Sequence, residues 1–156
     1  MAAAHPVATV GYEGTTVDAF LRTLRDASVE LLVDVRAVAS SRRPGFAKTR
    51  LAANLAEAGI DYLHLRGLGT PADGRAAARA GRHAEMHRIF GAHLATDEAQ
   101  GELHALADLV QAGRRVALLC FEADPAHCHR TLVATALADL VPVRVTHLRP
   151  DAEEPA

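Results

Sequence analysis

Cys128, His129 and Arg130 stand side by side with His127 before them, just past an Asp124-Pro125 pair. Asp is a good N-cap and Pro suits a first helical position, where a missing N–H costs nothing, so the spacing predicts a helix opening at Asp124. Free backbone amides and the positive end of the dipole attract anions at such a start. Arg130 would add a forked guanidinium for a phosphate or carboxylate. The same field favours the Cys128 thiolate, with His127 and His129 as neighbouring acid or base groups, so the triplet holds the parts of a nucleophilic site. A small helix cysteine without chemistry would satisfy the same residues.

Other candidates lie upstream. Glu13 follows Tyr12 just past an apolar run ending at Gly11, and Glu122 follows Cys120 and Phe121. Two such carboxylates brought together could exchange protons with a substrate. Asp34 and Arg36, two apart on a strand, share a face, where a central sheet requires them to pair. The candidate catalytic residues are Cys128, His129, Glu13 and Glu122, and the candidate substrate-binding residues are Tyr12, Arg36, Arg42 and Arg130. Arg42 and Arg43 sit in a Ser-rich loop where they could grip a phosphate, although paired surface arginines are commonly just solvated. Cys120 reads as a packing thiol at the end of an apolar run.

A metal could draw on Cys128, His129 and a third ligand such as His64, since Cys and His suit zinc or iron. Cys120 and Cys128 lack the short spacing of a zinc finger. His83 and His87 lie four apart, but Glu85 is misplaced for a zinc-protease motif. No metal ligand is therefore assigned. There is no glycine-rich loop of the Walker or dinucleotide type either, and no cofactor is assigned.

The elements that must position these residues alternate between short apolar strands and amphipathic helices, the signature of parallel βαβ units. Strands are expected at 7–11, 30–36, 60–65 and 116–120, with a last one carrying Val143, Val145 and His147 at a sheet edge. Thr15 is expected to cap a first helix burying Phe20 and Leu24. A helix over 48–58 buries Leu51 and Leu55 and is stopped by Gly59. Residues 67–82 read as a long loop or flap with room for a short helix. Two helices then bury Met86, Ile89 and Phe90, and Leu103, Leu106, Leu109 and Val110. The expectation is a single domain over 1–150, a three-layer α/β fold with an open, mainly parallel sheet of about five strands, Rossmann-like or flavodoxin-like. The tail 151–156, with nothing to bury, is expected to be disordered. Strand order 3-2-1-4-5, or else 2-1-3-4-5, would gather the motifs at the carboxyl ends of the strands.

Thr9-Val-Gly-Tyr-Glu-Gly14, Leu32-Val-Asp-Val-Arg36 running into Ser40-Ser-Arg-Arg-Pro-Gly-Phe46, and Leu119-Cys-Phe-Glu122 leading to Cys128-His-Arg130 together resemble the domain of unknown function 488 family. The resemblance extends through Gly59-Ile-Asp-Tyr-Leu-His64 and Leu68-Gly69, in order along nearly the whole chain. It implies a family and no activity. The Ala- and Arg-rich stretch from Thr70 to Arg88 departs from the family pattern.

Composition narrows the function classes. The formal net charge is -2, so no whole-domain basic field exists to hold nucleic acid, and anion binding must be local. Only two cysteines occur, too few for a secreted disulfide framework, which points to reduced thiols. The N-terminus lacks a signal-peptide pattern and no apolar run is long enough to span a bilayer, so a cytoplasmic location off the membrane is expected. The leading reading is an enzyme acting on a small phosphate-bearing substrate, a nucleotide or nucleic-acid end, at the Cys-His-Arg helix start. A metal-binding or ligand-sensing module without turnover is the alternative, and an interaction domain with a structural polar site is the third.

Overall fold

The computed structural model describes residues 4–151. Five parallel strands form one sheet in the order β3-β2-β4-β1-β5, with β1 at His5–Gly11, β2 at Leu31–Asp34, β3 at Asp61–His64, β4 at Val116–Cys120 and β5 at Val143–Leu148. Helices α1 (Val17–Asp26) and α2 (Lys48–Glu57) cover one face, and α3 (Ala72–Arg79), α4 (His83–Leu94), α5 (Asp97–Gln111) and α6 (His129–Ala138) the other. The architecture is three-layer α/β, as the alternation of elements predicts.

Alternating side chains of the inner strands feed two cores. Leu32, Ala117 and Leu119 meet Phe20, Leu24, Leu51 and Leu55 on the α1/α2 side. Val33, Val116 and Leu118 meet Phe90, Leu106, Val133 and Leu137 on the other. Every residue of β2 and β4 is buried, the mark of strands covered on both faces. β5 alternates and lies at the edge, where its residues pair with β1 alone.

The observed order corrects both expected ones. β1 and β4 are neighbours, as order 3-2-1-4-5 requires, but β4 also lies against β2, so β2 does not touch β1. Right-handed crossovers allow either arrangement. The long α3–α5 connection lets the chain pass back over β2 and insert its most apolar strand at the centre. The chain leaves β1 toward β2 and leaves β4 toward β5, so neighbouring carboxyl ends are covered from opposite faces. A crevice opens at such a switch point.

Local corrections bear on the site. Thr16, not Thr15, caps α1 by accepting from the Ala19 amide at 3.2 Å; the Thr15 hydroxyl donates to the Asp151 carbonyl at 2.6 Å. The expected loop at 67–82 contains a 3-10 turn over Arg66–Leu68 and then α3. Asp124 caps only a 3-10 turn over Pro125–His127, and Cys128, in extended conformation, then serves as the N-cap of α6. Residues 152–156 of the expected tail lie outside the described residues. Among the described residues no helix is long and apolar enough to cross a membrane.

Candidate functional site

The register brings three strand ends level: Gly11 lies beside Cys120, and Asp34 beside Leu119. Past these ends the chain turns at Tyr12, Arg36 and Phe121-Glu122, and a cleft of about 270 Å³ opens above them. Gly11 permits the closeness of β1 and the β4 exit: a Cβ there would stand 1.8 Å from the Glu122 carbonyl oxygen. Tyr12, Arg36, Cys120, Glu122, His127 and His129 all line this cleft.

At its floor the Cys120 and Cys128 sulfurs are joined, with Cα atoms 7.1 Å apart. The Cys120 sulfur also lies 3.1 Å from Glu122 Oε2 and 3.5 Å from His129 Nδ1. Cys128 Sγ lies 3.9 Å from the same ring nitrogen. On the far side of the ring, His129 Nε2 is 2.6 Å from the Val35 carbonyl, an acceptor only, so Nε2 carries the proton and the Nδ1 lone pair faces the sulfurs. Burial lowers the His129 pKa to about 4, keeping the ring neutral. Burial raises that of Glu122 above the usual carboxylate range. Cys120 is the sulfur that lines the cleft; Cys128 is buried behind it.

Arg130 does not reach the cleft. It is fully buried, with NH1 donating to the Glu122 carbonyl at 2.5 Å and NH2 to that of Ala123 at 3.3 Å, while Nε has no partner. Burial lowers its pKa to about 10. Glu13 reinforces the same loop from the exposed side, its Oε1 accepting from the Ala123 amide at 2.9 Å. These two residues shape the turn that presents Glu122.

Arg36 is likewise engaged. Its Nε and NH2 hold both Asp34 oxygens at 2.8 and 2.7 Å, NH1 donates to the Phe46 carbonyl at 2.8 Å, and the guanidinium lies over the Tyr12 ring. Burial works against its charge, but Asp34 more than compensates and holds the pKa above the ordinary arginine value. The Tyr62 hydroxyl completes Asp34 at 2.5 Å. Tyr12 stacks on Phe46 at 4.6 Å. This network fixes the cleft wall and anchors the 37–46 loop.

The remaining wall comes from α3, in the stretch that reads as a loop. Arg75 and Arg79 line the cleft beside Thr70, and among the described residues no carboxylate lies within ion-pair distance of either. Arg75 NH1 donates to the Thr70 carbonyl at 2.9 Å. A wider groove continues past Thr70 and Arg75 to Lys48, His64 and Arg66. The two depressions meet where Gly69 passes so near Ala37 that a Cβ would stand 2.2 Å from its amide nitrogen. Val38 and Phe121, 52% and 45% exposed, form an apolar rim. Arg42 is exposed and outside the cleft, and Arg43 donates to the Thr15 carbonyl. Sequence reasoning missed Arg75, Arg79, Phe121 and the cleft role of Cys120. The i, i+4 spacing of the two arginines was the available signal.

Among known families, the model of Domain of unknown function DUF488 matches residues 16–137. No curated protein and no solved structure matches the chain.

Proposed function

The chain belongs to the DUF488 family, and we propose that it is an enzyme acting on a phosphate-bearing substrate, a nucleotide or a nucleic-acid end, seated in the switch-point cleft. The observation that carries the reading is the pairing of two arginines without carboxylate partners, Arg75 and Arg79, with a floor of Cys120, Glu122 and His129. A guanidinium without an ion-pair partner on a concave wall offers forked donors to a phosphate. The carboxyl and imidazole groups below it supply acid-base chemistry, and the Cys120 sulfur becomes a nucleophile once its bond to Cys128 is reduced. The exposed ring of Phe121 adds a stacking face, which suits a nucleobase. The anion role read for Arg130 passes to α3, because Arg130 is spent on carbonyls.

Calorimetry with inorganic phosphate and a nucleoside monophosphate tests the binding half. Each of Arg75→Ala and Arg79→Ala should weaken binding by about ten-fold or more, the worth of a charge-assisted hydrogen bond. A turnover screen over nucleotides and 5′- or 3′-phosphorylated oligonucleotides, read by mass spectrometry, tests the catalytic half. Binding without any product would favour a sensing module, and a parent that binds no phosphate compound sinks the reading.

A further inference from the structure

The Cys120, Cys128 and His129 donor atoms all lie within 4.8 Å of one another. Proximity alone is a weak signal, but the imidazole is also oriented. Its Nε2–H is held by the Val35 carbonyl at 2.6 Å, which leaves Nδ1 as the free lone pair and directs it at both sulfurs. An outer hydrogen bond to a backbone carbonyl is how metal-bound histidines are commonly fixed. The backbone spacing points the same way. The Cys120 and Cys128 Cα atoms stand 7.1 Å apart, whereas disulfides usually hold theirs within about 4.4–6.8 Å. Two thiolates, each roughly 2.3 Å from one zinc ion, sit farther apart than bonded sulfurs and suit the wider span.

We infer that Cys120, Cys128 and His129 form a binding site for a zinc-class divalent cation when the two thiols are reduced, with the Glu122 carboxylate as an exchangeable fourth ligand on the cleft side. Two thiolates and an imidazole are a donor set that selects such an ion. Rigid elements hold them: Cys120 ends the central strand, while Cys128 and His129 open α6. The inference rests on the proposed function only at the fourth position, where a substrate phosphate oxygen would displace Glu122 and meet a Lewis acid. Loading begins with reduction. A water-soluble phosphine and one water convert the Cys120–Cys128 bond into two thiols and a phosphine oxide, and each thiol releases a proton as its sulfur binds the ion.

The test uses the full chain, reduced with phosphine and loaded with cobalt(II). One cobalt per chain should survive gel filtration, with a thiolate-to-cobalt charge-transfer band that zinc abolishes by displacement. Cys120→Ser and Cys128→Ser should each lose most of that band. If those variants fail to fold, the parent still decides: zinc should protect both thiols from alkylation, and a chelator should restore their labelling. No charge-transfer band, together with alkylation indifferent to zinc, overturns the inference. A parent that holds cobalt yet binds no phosphate sinks the anion reading and supports the metal site. Arg75→Ala/Arg79→Ala should keep the cobalt band.

Discussion

The start of α6 and the whole of α3 exchange the roles their sequences suggest. Cys128-His129-Arg130 has the densest chemistry in the chain and clear helix-start signals, yet all three side chains are buried and both terminal nitrogens of Arg130 donate to backbone carbonyls. Ala72–Arg79 has no cysteine, histidine or aromatic residue to advertise it, yet it sets two arginines on the cleft wall. Reactive residue types near a strand end are as useful for holding a turn as for meeting a ligand. Which of the two they do depends on whether the side chain points under the loop or over it.

Replacing Arg130 by Ala sharpens this contrast most. The substitution removes a fully buried side chain and strands the Glu122 and Ala123 carbonyls, so unfolding free energy should fall by about 3 kcal/mol or more. Arg79→Ala, at an exposed helix position, should stay within about 0.5 kcal/mol of the parent. Urea denaturation of the two variants checks both numbers. Equal midpoints would mean that the buried guanidinium contributes nothing to the loop.

A smaller effect is expected one strand over. Gly11→Ala forces a methyl group into the Glu122 carbonyl, and backbone there must shift. Overpacking of this kind typically costs about 1–3 kcal/mol. Because the displaced carbonyl is the acceptor of Arg130, the Gly11→Ala and Arg130→Ala effects should be less than additive in a double-mutant cycle. Strict additivity would show that the two sites do not share the turn.

The sequence made the strands and their burial legible and left their order open. Val116–Cys120 reads as a buried strand because every residue is apolar, and it is one. Nothing in its periodicity says that it lies between β1 and β2, since crossover handedness is satisfied either way and the α3–α5 connection is long enough for both. The cleft was legible in the same partial manner. Tyr12, Arg36, Glu122 and His129 line it because each follows a strand end or opens α6 at the same edge. That Arg36 is fully engaged depends on the Phe46 carbonyl ten residues on and on Tyr12, contacts that only the folded loop creates. The joining of Cys120 to Cys128 was hidden because a 3-10 turn, not a straight helix, leads into Cys128 and turns its sulfur back toward β4.

The mildest test concerns Phe121, an aromatic residue on the cleft rim. Its ring is 45% exposed and makes one edge contact with Tyr12, at 5.3 Å between centroids. An aromatic pair of that kind is worth about 0.5–1.5 kcal/mol, so Phe121→Ala should cost stability no more than that. If the rim serves only to cover Tyr12, binding of inorganic phosphate and of a nucleoside monophosphate should change together, because both depend on the same arginines. If the ring stacks on a base, phosphate binding should be unchanged while the nucleotide loses about five-fold or more, the lower end of base–aromatic stacking at about 1–3 kcal/mol. Paired titrations of parent and variant with the two ligands separate these outcomes. A parallel loss would confine recognition to the α3 wall and reduce the substrate class to the phosphate alone; a selective loss would make the cleft a nucleotide site with its charge on α3 and its stacking face on Phe121.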